Sequence, residues 1–286
     1  DPEQVKPDEP LQALLDSVNR WWTSGDLWRA TETYLGVWGS CFWLLEKTGE
    51  NSSPTAIWPL RPDRVRILGS KEPYLRGFQE EYIRGFLYEH QGRKLALRPD
   101  EVIWFRYFNP LEEFAGLSPL ASARLSADMG MDALRYNRQA FRNGLMFSNV
   151  AIKVESTPSE EEIADFYLRL EKRYAGSENA HRPLVMSEGM SATNLGFSAR
   201  EMEYMLTLRW TLEDVARAYG ESPILLQDMG QSTYANYELA EKSFWRNTII
   251  PELMFLEAEV NEMLASQMGP DLYVAYDLSA IEALQE

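Results

Sequence analysis

The chain of 286 residues has one cysteine, two histidines and no apolar stretch long enough to cross a bilayer, and each shortage removes a class of function. A single thiol, Cys41, forms no internal disulfide, so the oxidised, secreted scaffolds are excluded, and its place in the apolar run from Tyr34 to Leu45 reads as a buried strand position. Two histidines, His90 and His181, are too few and too far apart for a His-rich metal site, a HExxH zincin or most Ser-His hydrolases. No Gly-rich phosphate loop, dinucleotide fingerprint or nucleophile elbow occurs, and the expected cofactor complement is none. No run approaches the roughly eighteen apolar residues of a membrane helix.

Basic charge is also scarce. Lys and Arg number 28 against 44 Asp and Glu, a net charge of -16, which argues against a protein that grips nucleic acid statically and against an anionic membrane surface as partner. The remaining composition, 45% apolar and 12% aromatic, is that of a normal globular chain of about two domains. Its opening Asp-Pro-Glu-Gln reads as a chain either processed or cut from a longer one.

Residues 1–10 read as a tail, Leu11 to Arg20 as a short helix and Leu27 to Tyr34 as a further turn or two. Continuous apolar residues from Tyr34 to Leu45 are followed by short strand-like runs at Ala56 to Leu60, Arg64 to Leu68, Tyr82 to Tyr88, Leu95 to Leu97 and Val102 to Phe108, the pattern of an α+β domain. A long helix begins at Ser118 as cap with Pro119 in the first helical position and runs to Gly144. A small α/β module follows: a strand at Val150 to Val154, a capping box at Thr157 to Glu160, a helix to Tyr174, and a second strand at Arg182 to Met186. Arg200 to Tyr219 is a returning helix stopped by Gly220, so the module sits at the tip of a helical hairpin. Glu221 to Thr233 is a polar loop. A second long helix from Tyr234 to Met268 is broken or kinked at Pro251, and Leu272 to Tyr276 closes as a strand.

Carboxylates are the only plentiful catalytic groups, and Glu112 with Glu113, Asp128 with Asp132, and Glu201 with Glu203 keep a metal-dependent hydrolase open. Acidic pairs on helix faces are more often solvated surface. A monomeric peptide-binding adaptor is a third class. Trp21 and Trp22 read equally well as core residues or as exposed anchors for a neighbouring subunit or the capsid, and Met129, Tyr136, Met205 and Trp210 as packing residues.

The order of segments resembles one family. Leu14-Leu-Asp-Ser-Val-Asn19, Tyr34-Leu-Gly-Val-Trp-Gly-Ser-Cys-Phe-Trp43, Trp58-Pro-Leu-Arg-Pro-Asp-Arg-Val65, Glu101-Val-Ile-Trp-Phe105, Gly116-Leu-Ser-Pro-Leu120, Phe141-Arg-Asn-Gly144, Asn179-Ala-His-Arg-Pro-Leu-Val185, Tyr219-Gly-Glu-Ser-Pro-Ile-Leu-Leu226, Ser232-Thr-Tyr-Ala-Asn236 and Phe244-Trp-Arg-Asn-Thr-Ile-Ile-Pro251 are similar, in order and spacing, to the portal proteins of tailed bacteriophages. Glu221-Ser222 stands where that family usually has an apolar residue and a proline, Gly39-Ser40 replaces a usual Gly-Asn, and the family's C-terminal crown helices have no counterpart, which reads as a trimmed chain.

The resemblance implies a non-enzymatic virion protein: an α+β subunit with an α/β wing, a long helical-hairpin stem and a small α/β clip at the stem tip. The expected parts are a wing at 1–116, a stem helix at 117–144, the clip at 145–198, a second stem helix at 199–220, a tunnel loop at 221–233, and a kinked helix at 234–286 returning to the wing. Such subunits form a homo-oligomeric ring, usually of twelve, at one capsid vertex, through which double-stranded DNA is packaged and ejected. The resemblance places Gln227, Asp228, Met229, Gln231, Ser232 and Thr233 against the DNA channel, and Glu161, Glu162, Asp165, Ser177, Glu178 and Asn179 on the surface that docks the terminase large subunit and later the head-to-tail adaptor. The major capsid protein is a further implied partner, and the location is the portal vertex of the virion, with host cytoplasm during assembly.

Overall fold

The computed structural model describes residues 10–49, 52–69, 82–142, 150–154, 158–174, 190–194, 200–226, 234–279 and 281–285. They form two compact units, one built from residues 1–123 and 216–286 and the other from residues 124–215.

In the first unit, α1 (Pro10–Asp16) and α2 (Ser24–Trp38) precede a three-stranded antiparallel sheet. Thr23 starts α2 through a capping box: its hydroxyl accepts from the Asp26 amide at 3.2 Å, and the Asp26 carboxylate accepts from the Thr23 amide at 3.2 Å. The helix is longer than its sequence indicates. Tyr34 to Trp38, expected to open the strand, are its last turn, and Gly39 ends it in the left-handed conformation with φ 69°. The apolar run is continuous because a helix end, with Leu35 buried and Val37 and Trp38 exposed, adjoins a buried strand with one glycine between them.

The strands β1 (Ser40–Lys47), β2 (Pro54–Leu60) and β6 (Val102–Arg106) pair in the order β2-β1-β6. Between them in sequence, β3 (Val65–Gly69), β4 (Ile83–His90) and β5 (Arg93–Leu97) form a second antiparallel sheet. Both faces of β1 are covered. Cys41, Trp43 and Leu45 join Ile57, Ile103 and Phe105 under the helices, whereas Phe42 packs the other way with Leu60, Phe86, Leu97 and Val102 between the sheets. A strand covered on both faces loses the polar alternation of a surface strand. The expected burial of Cys41 is found, and desolvation pushes its thiol up to about 12. Trp43 donates its indole N–H to Thr31 at 2.8 Å, and the Thr31 hydroxyl donates onward to the Leu27 carbonyl, so the one polar edge of this buried ring is satisfied.

The core is closed by a long helix with two changes of pitch. It runs as α6 (Tyr234–Phe244), a π turn (Trp245–Ile249), α7 (Ile250–Val260), a second π turn (Asn261–Ala265) and α8 (Ser266–Met268). Pro251 does not break it: the proline sits in the first turn of α7, directly after the π turn, where its missing N–H costs least. Leu256, Val260 and Leu264 bury completely in the core under β1. Leu272 to Tyr276 is not the expected strand. Instead the Asn261 side-chain amide takes a strand's place, donating to the Val274 carbonyl at 2.8 Å and accepting from the Val274 amide at 2.6 Å.

The long helices α3 (Pro119–Arg142) and α5 (Arg200–Ala218) each belong to both units. Within the second unit they run antiparallel: Ser126 donates to Asp214 at 2.7 Å, and the Thr211 hydroxyl to the Ser126 carbonyl at 3.2 Å. Between these helices in sequence lie β7 (Val150–Val154), α4 (Glu160–Tyr174) and β8 (Met190–Asn194), with β7 and β8 antiparallel. The partner of β7 is therefore 190–194, a strand the sequence did not announce; Arg182 to Met186 lies outside the described residues. The capping box of α4 is Ser159 with Glu162, two residues later than the one expected at Thr157, because the helix starts at Glu160.

Candidate functional site

The polar loop that follows α5 is held at its root by a set of hydroxyls and glycines in the first unit. The helix α5 ends in a Schellman motif: the Glu221 amide donates to the Ala216 carbonyl at 2.9 Å, the Gly220 amide to Arg217 at 3.1 Å, and Gly220 takes φ 67°. The Thr248 hydroxyl, presented by the first π turn, donates to the Gly220 carbonyl at 2.8 Å. Ser222 and Pro223 then carry short turns to Leu225 and Leu226, so the Glu221-Ser222 departure from the family pattern is accommodated without loss of the turn.

On the neighbouring side, Tyr219 and Ser118 both donate to one carbonyl, that of Gly36, at 2.9 and 2.6 Å. Ser118 also accepts from the Leu120 amide at 3.0 Å, which makes it the cap of α3 as the sequence indicates. Gly116 crosses Gly39 so closely that a Cβ on either would collide with the other's backbone. Ser40, in place of the family's asparagine, accepts from the Gly116 amide at 3.0 Å and locks that crossing. These bonds explain the Gly-Leu-Ser-Pro order: a glycine for close approach, a serine to cap, a proline to begin the helix.

A cavity of about 580 Å³ opens beside this root, lined by Glu32, Tyr107, Ser118, Tyr219, Thr248 and Glu252 among others. Tyr107 donates to Glu252 at 2.7 Å. Glu32 as a whole residue is exposed, but its carboxyl lines the cavity; loss of water raises it to about 7, and the Glu252 charge adds to the rise. Burial raises Glu252 too, against the Tyr107 hydrogen bond.

Of the docking candidates, Glu161, Glu162 and Asp165 lie exposed on the first turns of α4. Glu162 serves the capping box, whose amide and hydroxyl bonds from Ser159 hold its carboxyl below the ordinary range, and Asp165 pairs with Arg169. Ser177, Glu178 and Asn179, and the loop candidates Gln227, Asp228, Met229, Gln231, Ser232 and Thr233, lie outside the described residues. Sequence reasoning missed Thr248, Tyr219 and Gly36; Thr248 and Gly36 sit on helices and Tyr219 just past one, and a hydroxyl's long-range partner leaves no local pattern. Among the described residues no group of three or more His, Cys, Asp or Glu is placed to hold a metal. Asp128 and Asp132 pair with Arg124 and Arg135 on the surface of α3, and no described helix is long and apolar enough to cross a membrane.

The sequence model described as "Phage portal protein" matches residues 1–286. The chain belongs to the phage portal protein family. Within that family it is 29% identical over 173 residues to the probable portal protein of Streptomyces phage phiC31, covering 59% of this chain and 38% of the relative. It is 23% identical over 267 residues to the portal protein of Enterobacteria phage HK97, covering 92% of this chain and 59% of that one. The chain spans about half the length of the curated relatives it matches. Its fold is that of a chain in the neck of an empty gene transfer agent (GTA) particle computed with C6 symmetry, with a TM-score of 0.72 at 24% identity over 99% of this chain and 76% of that one. A neck of the native particle computed with C12 symmetry gives 0.70 at 24% identity over 96% and 76%. The α+β architecture expected from the sequence is thus found in the portal family's own fold, and no part of this match favours a hydrolase.

Proposed function

We propose that the chain is the subunit of a ring-shaped portal at one vertex of a viral capsid, a passive conduit through which double-stranded DNA is packaged and later ejected. The family match over residues 1–286 carries this reading. It is supported by the likeness to gene transfer agent necks computed with C6 and C12 symmetry, which favours a homo-oligomeric ring in the virion.

On this reading residues 1–116 are most of the wing, α3 and α5 the stem, residues 145–198 the clip, and 234–286 the return to the wing. The loop at 221–233 projects into the channel, with Gln227, Asp228, Met229, Gln231, Ser232 and Thr233 meeting DNA. The hydrogen-bonded root at Gly220, Thr248, Tyr219 and Gly36, which holds the chain where it leaves α5, supports this role. Glu161, Glu162 and Asp165, with Ser177, Glu178 and Asn179, form the face that receives the terminase large subunit, which burns the ATP, and then the head-to-tail adaptor. The surplus of sixteen negative charges per copy suits a wall that repels phosphate and lets DNA slide.

The test is an image and a packaging assay. Negative-stain micrographs of the purified protein should show rings with a central hole, and deleting residues 227–233 should impair packaging or retention of DNA in a reconstituted system. A stable monomer of 33.0 kDa would overturn the ring, and unchanged packaging would overturn the loop's role.

A further inference from the structure

Two apolar patches in the first unit have no partner among the described residues and are complementary to each other. The first is the loop after β6. Phe108 and Leu111 are 84% and 88% exposed, the highest values among the large apolar side chains of the described residues. The loop holds them out rigidly: Arg106 donates to the Glu113 carbonyl, the Asn109 side chain accepts from the Leu111 amide at 3.0 Å, and Phe114 seats on Gly69. A preorganised loop loses little freedom when it docks. Beside the two apolar tips, Glu112 and Glu113 are exposed and form no ion pair among the described residues.

The second patch is a hollow of about 460 Å³ lined by Trp21, Trp22, Asp26, Arg29, Ala30, Thr33 and Tyr34. Trp21 is 73% exposed. Arg20 lies 5.3 Å over the Trp21 ring with no carboxylate partner among the described residues, while the charge of Asp26 is taken up by Thr23 and Arg29. With Asp26 and Arg29 cancelling, Arg20 leaves one positive charge beside Trp21, whereas Glu112 and Glu113 make the loop acidic. Exposed apolar surface rimmed by charge marks a docking site, and opposite rims set its partner and orientation.

The two patches do not cover each other within one copy, since Trp21, Phe108 and Leu111 all stay largely exposed. Trp21 precedes the first turn of α2, whereas the loop is tied to its last turn, through the Tyr107 amide to the Gly39 carbonyl at 2.9 Å and Ser118 to Gly36. The hollow runs from Trp21 along α2 to Tyr34 and stops short of Gly36 and Gly39. We infer that the Phe108–Leu111 loop of one copy seats in the Trp21–Trp22 hollow of the next copy, with Glu112 or Glu113 against Arg20. Two different surfaces meeting in this way make a head-to-tail contact, the kind that closes into a ring when its rotation permits. The inference rests on the ring reading above and adds which surfaces join.

The contact is tested by cross-linking between copies. Trp21→Cys and Leu111→Cys are both exposed, and the natural Cys41 is fully buried, so a short bismaleimide should join only the introduced thiols. A mixture of the two single variants should give covalent dimers, the double variant a ladder, and each single variant alone neither. In parallel, the double variant Glu112→Arg with Glu113→Arg should weaken self-association by roughly tenfold, measured by sedimentation, and adding Arg20→Glu should recover most of it. Unchanged melting curves would show that the surface variants still fold. Rings without this cross-link, or Leu111→Cys joining to itself, would overturn the contact and leave the ring standing. Failure to associate at any concentration would overturn both.

Discussion

Gly116 crosses Gly39 at a separation that leaves no room for a side chain: a Cβ on Gly116 would lie 1.7 Å from the Gly39 carbonyl oxygen. The obstacle is backbone, which does not swing aside. This crossing ties the end of α2 to the start of α3, and the loop root is built on it.

Gly116→Ala should therefore destabilise the first unit by roughly 3 kcal/mol or more, as overpacking against a fixed main chain does. Differential scanning calorimetry should show a fall of the order of 10 °C in its melting temperature. An unchanged transition would mean that the crossing opens freely.

Thr248→Val keeps the side chain's volume and removes the hydrogen bond to the Gly220 carbonyl. The expected loss is about 1 kcal/mol. Hydrogen exchange should quicken over residues 216–226, and Thr248→Ser should restore protection there.

The cavity carboxyls make stability depend on pH. Glu32 is raised from 4.5 to about 7 by burial and by Glu252, so between those pH values the folded chain keeps a proton that the unfolded chain has released. Stability is full below about 4.5 and falls as pH rises towards 7; raised Glu252 and Glu259 act in the same direction. Asp26, Asp63 and Asp277, held low by hydrogen bonds, act oppositely and lose their contribution only as pH falls below the ordinary carboxylate range. Glu32→Gln should shrink the fall in melting temperature between pH 5 and pH 8. An identical pH profile in the variant would show that Glu32 does not titrate in this window.

What the sequence disclosed follows the range of the forces involved. The start of α3 was legible because Ser118 and Pro119 act within one turn of themselves. The end of α2 was not, since Tyr34 to Trp38 and Cys41 to Leu45 are both apolar, although Val37 and Trp38 stay exposed, and only Gly39 marks the change of period. The strand Met190–Asn194 was hidden because Met-Ser-Ala-Thr-Asn has no Val, Ile or aromatic residue; its partner β7 makes it a strand. Asn261 imitates a strand edge with a side chain, which no periodicity records. Of the proposed site, the end of α5 could be read from Gly220 and Pro223, but the supports at Gly36 and Thr248 are 183 and 28 residues from the groups they hold and were set by folding alone.

The two π turns of the C-terminal helix bear on how this chain tolerates changes of length. An α-helix advances about 100° per residue, and a π turn holds one residue more than the ladder needs, so each acts as a fixed offset in azimuth between the segments on either side. Leu256, Val260 and Leu264 can stay in the core while Thr248 points at Gly220, because the offset decouples the two directions. A one-residue deletion in Trp245–Ile249 would remove the surplus residue and leave a regular helix whose two segments face much as before, whereas the same deletion within α7 would turn every side chain upstream of it by more than a quarter of a revolution.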